Sequence, residues 1–266
     1  MVLVKKSWIM DSNINERLKL EEYSKKYLQG EYYEQKKFEN RIVDNFLTDP
    51  ELDEFWTSSQ SENAQYIKDT SMAPMAEMLF GQEPSTHTTA NYHIFKNFYN
   101  NPQWSHLVDI IQPKLEAEFG SNIRASHIHV LDSWFPYGLH NDAEQPNMKL
   151  APEPAWTLII PFDTCESTTY VFNERSGFKD AMEFAKYYNV KPHGLETTGL
   201  TKEEYELDFS PITHPDNLSY LTVETKFKWK RGSCFAADRF KYHCSSNYLN
   251  QGIKNKKAII LWTSLA

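Results

Sequence analysis

Residues 220–263, YLTVETKFKWKRGSCFAADRFKYHCSSNYLNQGIKNKKAIILWT, break into four short runs rich in β-branched and aromatic residues, at 220–227, 231–236, 241–248 and 257–263. Gly, Asn and Asp punctuate them, so each run reads as a strand and each break as a turn. The same texture extends back to about Ile123, with further runs at 126–135, 156–162 and 168–173. Short strands at that density predict a β sandwich or barrel. One stretch departs from it: residues 177–207 hold a helical segment, FKDAMEFAKYYNV, then a polar loop and a second short helix. An insert of that kind between strands is expected to build a lid or rim.

Before Ile123 the pattern changes. RIVDNFLTDPELDEFW, residues 41–56, predicts a short strand, a turn and a helix that starts after Thr48 and Asp49 with Pro50 in its first turn. Residues 103–119 have amphipathic spacing, and Pro113 is expected to kink or split that helix. Residues 1–40 are highly charged, and apolar spacing over 14–29 predicts a surface helix or arm. The expected organisation is therefore an arm (1–40) followed by one mainly β domain (41–266) with flanking helices.

The composition narrows the function. The chain has 266 residues, 40% of them hydrophobic, enough for a large core. No apolar run approaches the roughly 20 residues that span a bilayer, and the N-terminal stretch MVLVKKSW does not read as a secretory leader. Three scattered cysteines, Cys165, Cys234 and Cys244, form no metal-binding pair and suggest a reducing, cytoplasmic setting. A net charge of −8 argues against nucleic acid and mildly favours a small-molecule substrate.

Of the nine histidines, His140 stands out because it opens His140-Asn141-Asp142. On an extended segment, side chains two apart project to one side, so this imidazole and carboxylate can meet one metal ion. A third ligand has to come from a distant strand, and His243, at the end of RGSCFAADRFKYH, is placed to supply it. Two imidazoles and a carboxylate on one face of an octahedral ion leave open positions, the arrangement of non-haem Fe(II) oxygenase sites. Beyond His243 come Lys254, Lys256 and Lys257, the last opening the apolar run KAIILW. A cation there is suited to the far carboxylate of a dicarboxylate cosubstrate. Strand placement favours Lys257, with Lys254 and Lys256 as alternatives.

Taken in order, these segments resemble the Fe(II)/2-oxoglutarate-dependent dioxygenases of the prolyl-hydroxylase-like and phytanoyl-hydroxylase-like groups, whose fold is a double-stranded β-helix, a cupin-like jelly roll. RIVDNFLTDPELDEF resembles their opening strand and helix, FPYGLHND the segment with the first His and the Asp, LIIPF and TTYVF the next two strands, RGSCFAADRFKYHCSSN the approach to the second His, and KKAIILW the last strand. The resemblance implies His140, Asp142 and His243 as iron ligands, a lysine in place of the commoner arginine anchor, and Fe(II), 2-oxoglutarate and O2 as reactants. It also implies hydroxylation with release of succinate and CO2, because members that halogenate lack the carboxylate retained here at Asp142. Tyr137, expected among the cofactor-binding residues, lies with Trp134, His127 and His129 on the approach to the metal, with His127, His129 and Leu131 sharing a face by alternation. Arg239 and Tyr242 are expected at the rim.

The rival reading is a cupin-like isomerase or carbohydrate-binding barrel. His127-Ile128-His129 favours it, since paired imidazoles on a strand can hold Zn or Mn; Ser133, where such sites supply a Glu, counts against it.

Overall fold

The computed structural model describes residues 37–80, 89–142, 154–176 and 181–265. The expected helix at 14–29, most of the 1–40 arm, His87 and the first four residues of the insert lie outside them.

Among the described residues, ten strands form two antiparallel sheets. The larger has the order β1-β8-β5-β10-β4-β3-β2 and the smaller β7-β6-β9, where β1 is Arg41–Val43, β2 Gln65–Asp69, β3 Ala90–Ile94, β4 Ile123–Ser133, β5 Pro154–Pro161, β6 Thr168–Arg175, β7 Val223–Lys228, β8 Cys234–Asp238, β9 Lys241–Ser245 and β10 Lys256–Leu265. Residues 137–142 complete the smaller sheet beside β9. His140 and His243 exchange both backbone hydrogen bonds (3.0 and 2.8 Å), Ser245 N–H donates to Tyr137 O at 3.0 Å, and Asp142 N–H donates to Arg239 O at 3.1 Å. From β4 onward the chain passes back and forth between the sheets, so the fold is a double-stranded β-helix.

Strand alternation sorts the apolar residues into three layers. Ile159, Val171, Phe227, Phe235 and Ala258 pack between the sheets. On the outer face of the larger sheet, Ile128, Val130, Leu158, Ile160, Ile259 and Leu261 meet two helices, α1 (Asp49–Ser59) and α3 (Ser105–Phe119), through Leu52, Phe55, Leu107, Ile111 and Leu115. A shorter helix, α2 (Ala73–Phe80), lies between β2 and β3 in the chain. On the outer face of the smaller sheet, Tyr170, Phe172, Tyr242 and Cys244 are covered by Leu200, Phe209, Leu218 and Leu221. No helix among the described residues is long and apolar enough to cross a membrane.

Several expectations need correction. The insert contributes three helices, α4 (Ala181–Tyr188), α5 (Lys202–Asp208) and α6 (Pro215–Leu218), so it runs past residue 207. Its described part packs against the outer face of the smaller sheet. Pro113 neither splits nor ends α3. It and Asp109, whose carbonyl loses its partner, are both exposed, so that carbonyl is open to solvent. The run at 231–236 forms a strand only from Cys234, because Gly232 turns the chain at φ +71°. Likewise β7 begins at Val223 instead of residue 220. The edge strand β2 and its neighbour β3 were not anticipated; QYIKD, the edge strand, is largely exposed and has no apolar face to betray it.

Candidate metal centre and its cavity

Pairing of residues 137–142 with β9 places two imidazoles opposite one another, with ring centroids 4.4 Å apart. Each ring donates Nδ1–H to a carbonyl two residues back, His140 to Gly138 O at 2.7 Å and His243 to Lys241 O at 3.2 Å. A carbonyl can only accept, so both rings carry their proton on Nδ1 and turn the Nε2 lone pair inward. Asp142 joins them there: Oδ2 is 3.3 Å from His243 Nε2 and Oδ1 is 4.0 Å from His140 Nε2. The three donor atoms lie within 4.8 Å of one another, and this is the cluster of potential metal ligands among the described residues. Its donor set, two neutral nitrogens and a carboxylate, fits iron.

The carboxylate is held from several sides. Thr157 Oγ1–H donates to Asp142 Oδ2 at 2.7 Å, and Arg239 donates from Nη2 to the Asp142 carbonyl at 2.9 Å. Asn141 anchors the same segment by donating Nδ2–H to Ser176 O at 2.7 Å. Burial alone would raise the carboxyl of Asp142, but the imidazoles of His243 and His140 and the Thr157 hydroxyl hold it far below the usual range. The reciprocal effect raises His243 against its own burial.

The cluster opens into a cavity of about 560 Å³ between the sheets. At one end stands Lys256, 4% exposed, with its ammonium 2.8 Å from Ser167 Oγ and 2.7 Å from Ser245 Oγ. Its Nζ lies 3.9 Å from the centre of the Trp229 ring and 4.7 Å from that of Tyr248. No carboxylate pairs with it among the described residues, and burial pulls it down to about 7. Towards the other end, β4 and β10 contribute His127, His129, Ile260 and Trp262, with Ile260 opposite His129 and Trp262 opposite His127.

Lys257, which strand placement favoured, is instead on the opposite face of β10, with Nζ 4.6 Å from the centre of the Trp56 ring. Alternation sends Lys256 inward and its neighbour towards the helices. Lys254 is exposed before β10 begins and does not line the cavity. Tyr137 does line it, hydrogen-bonded to the Tyr92 hydroxyl and with its ring 5.9 Å from that of His140. Burial raises both phenols, Tyr92 to about 12. His127, His129 and Leu131 share the cavity face, but Trp134 is 44% exposed outside it. Arg239 and Tyr242 are not rim residues: the first is buried behind Asp142, and the second packs under the insert. Among the described residues the His127–His129 pair joins no metal cluster. Tyr92, Thr157, Trp229, Tyr248 and Trp262 are cavity residues that sequence reasoning missed. For Trp262 the signal was present, since it is in phase with Lys256 along β10.

No protein-family model matches the sequence, and no curated protein matches it. Solved structures similar to the chain include the non-haem α-ketoglutarate-dependent epimerase SnoN from nogalamycin biosynthesis, with 13% identity, 94% of this chain and 84% of that one covered, and TM-score 0.48. A second SnoN structure is a complex with Fe3+, α-ketoglutarate and nogalamycin RO. HygX from Streptomyces hygroscopicus, with nickel and 2-oxoglutarate bound, is similar at 10% identity, 88% and 85% coverage and TM-score 0.46. An oxidoreductase of the 2OG-Fe(II) oxygenase family from Burkholderia pseudomallei is similar at 8% identity, 92% and 90% coverage and TM-score 0.44. These similar structures are thus described as α-ketoglutarate-dependent, as 2-oxoglutarate-bound, or as of the 2OG-Fe(II) oxygenase family.

Proposed function

We propose that the chain is an Fe(II)- and 2-oxoglutarate-dependent dioxygenase that hydroxylates a C–H bond of a small molecule, releasing succinate and CO2. The observation that carries this reading is one cavity holding both a two-His, one-carboxylate cluster and a buried lysine without a carboxylate partner. An uncompensated buried cation is costly unless an anionic ligand completes it. His140 Nε2, His243 Nε2 and the Asp142 carboxylate would hold the metal. Lys256, with the Ser167 and Ser245 hydroxyls, would receive the far carboxylate of 2-oxoglutarate. Iron, when bound with 2-oxoglutarate and O2, supplies the oxidising chemistry that C–H hydroxylation needs.

The protein's own part is positioning. Gly138 and Lys241 carbonyls fix the imidazole tautomers, and Thr157 and Arg239 hold Asp142 against rotation. Asp142 also supplies the third protein ligand, which favours hydroxylation over halide transfer. The net charge supports a small-molecule substrate, and three free thiols, two of them buried, support a reducing cytoplasmic setting.

The test is an anaerobic titration of metal-free protein with Fe(II) and then 2-oxoglutarate, followed by O2 and succinate measurement. A weak visible charge-transfer band that needs both additions, and is lost in His243→Ala, is the expected result. Absence of the band, with tight binding of zinc or manganese and activity indifferent to O2, would overturn the proposal in favour of the cupin-like reading.

A further inference from the structure

The cavity wall formed by β4 and β10 carries polar atoms that neither the metal cluster nor Lys256 uses. His127 and His129 both line the cavity, with ring centroids 5.1 Å apart. Neither imidazole has a hydrogen-bond partner among the described residues. The Nδ1 atom of His129, a side chain only 5% exposed, and the buried Nε1 of Trp262 are both left without one. Buried polar groups are nearly always paired, and a cluster of unpaired ones beside a cavity marks where a ligand completes the network.

The surroundings define the ligand. His127 stacks on Trp262 with centroids 4.7 Å apart and planes 27° from parallel, while His129 meets Trp262 at 6.0 Å and Tyr92 at 5.4 Å. These rings make an aromatic wall, and Ile260 and Leu131 continue it with apolar surface. A flat apolar molecule gains the most contact there. Burial drives both imidazoles down, His127 to about 4 and His129 to about 3, with Arg239 lowering His127 further and His127 lowering His129. They are therefore neutral near pH 7, each offering one donor and one acceptor. A hydroxyl, itself donor and acceptor, satisfies such a group in either tautomer. A cationic group would be buried beside the Arg239 guanidinium, which lies 5.5 Å from the centre of the Trp262 ring, with no counter-charge. That guanidinium is already engaged with the Asp142 carbonyl, so an uncharged group is favoured.

We propose that His127, His129 and Trp262 form the substrate-recognition wall, and that it takes an uncharged compound with a flat ring and a ring hydroxyl. The inference rests on the dioxygenase reading, because it treats this wall as the substrate side of the same cavity.

The test uses four matched probes, 2-naphthol, naphthalene, 2-naphthoate and 2-naphthylmethylammonium, titrated calorimetrically into full-length protein loaded anaerobically with Fe(II) and 2-oxoglutarate. 2-Naphthol is expected to bind about tenfold more tightly than each of the others, roughly the worth of one net hydrogen bond. His129→Phe and His127→Phe keep a ring but remove the nitrogens, and should lower 2-naphthol affinity about tenfold without altering that of naphthalene. Equal affinities across the set, preference for a charged probe, or undiminished 2-naphthol binding in a folded double variant would overturn the inference. If neither variant folds, the ranking of probes on the wild-type protein decides. Failure of the parent reading shows separately, as absence of the charge-transfer band before any probe is added.

Discussion

A one-residue difference along β10 decides which lysine enters the cavity, and the consequence is measurable. Lys256 is buried with its Nζ over the rings of Trp229 and Tyr248, and the charged forms of Cys165 and Cys244 only partly offset the effect of burial. Depressed to about 7, it is largely uncharged in the free protein above that pH. Anion binding favours the ammonium, so each binding event above pH 7 should draw in a proton. The affinity for 2-oxoglutarate is then expected to fall as pH rises from 7 to 9, by up to about tenfold per unit. Lys256→Met should weaken binding and flatten that dependence, whereas Lys257→Met should do neither. A steep pH dependence retained in Lys256→Met would sink the assignment. The sequence could not separate the two lysines because Ala258-Ile259-Ile260-Leu261 is apolar on both faces of the strand. With helices on one side and the cavity on the other, alternation left no phase to read.

At the scale of elements, the turn into β8 holds the most closely packed of the described glycines, Gly232. Leu47 N–H donates to Gly232 O at 3.0 Å and Gly232 N–H donates to Pro161 O at 3.0 Å, so this turn ties the start of α1 to the end of β5. A Cβ at Gly232 would come within 2.4 Å of the Leu47 carbonyl oxygen, and φ is +71°. Gly232→Ala should therefore cost about 1–3 kcal/mol, read as a lower midpoint in denaturant with an unchanged slope; an unaltered midpoint would contradict this account. The start of α1 just past the turn was legible from Thr48, Asp49 and Pro50, and the structure adds that Glu51 accepts from Thr48 N–H at 2.7 Å. His140 and Asp142 were legible as a pair because two-residue spacing has a fixed meaning on extended chain. The contribution of β3 was not, since Tyr92 reaches the cavity only through pairing with β4, about which the local sequence is silent.

For the whole molecule, the insert is part of the core. Phe209 is buried and lies 4.7 Å from the ring of Tyr170 on β6, in the cluster that also holds Tyr242 and Cys244 of β9. Tyr170 and Gln251 both donate to the Asp208 carboxylate, which joins the insert to the turn before β10. Phe209→Ala should cost about 3–5 kcal/mol and lower a single cooperative thermal transition. A separate early transition with the main one unmoved would show that the insert folds apart. A helical segment and a second short helix were readable within 177–207 and α6 was not; their docking surface, the outward residues of β6 and β9, looks like any buried strand until the sheets are assembled.

The reciprocal backbone pair between His140 and His243 binds these scales together. Both ligand residues use their own amides to fasten residues 137–142 to β9, so chelation and strand docking are thermodynamically linked. Whatever free energy the ion contributes on binding is also free energy holding that strand in place. Slow solvent exchange of those two amide protons would then serve as a clock for metal residence, stopping and starting together as the ion leaves and returns.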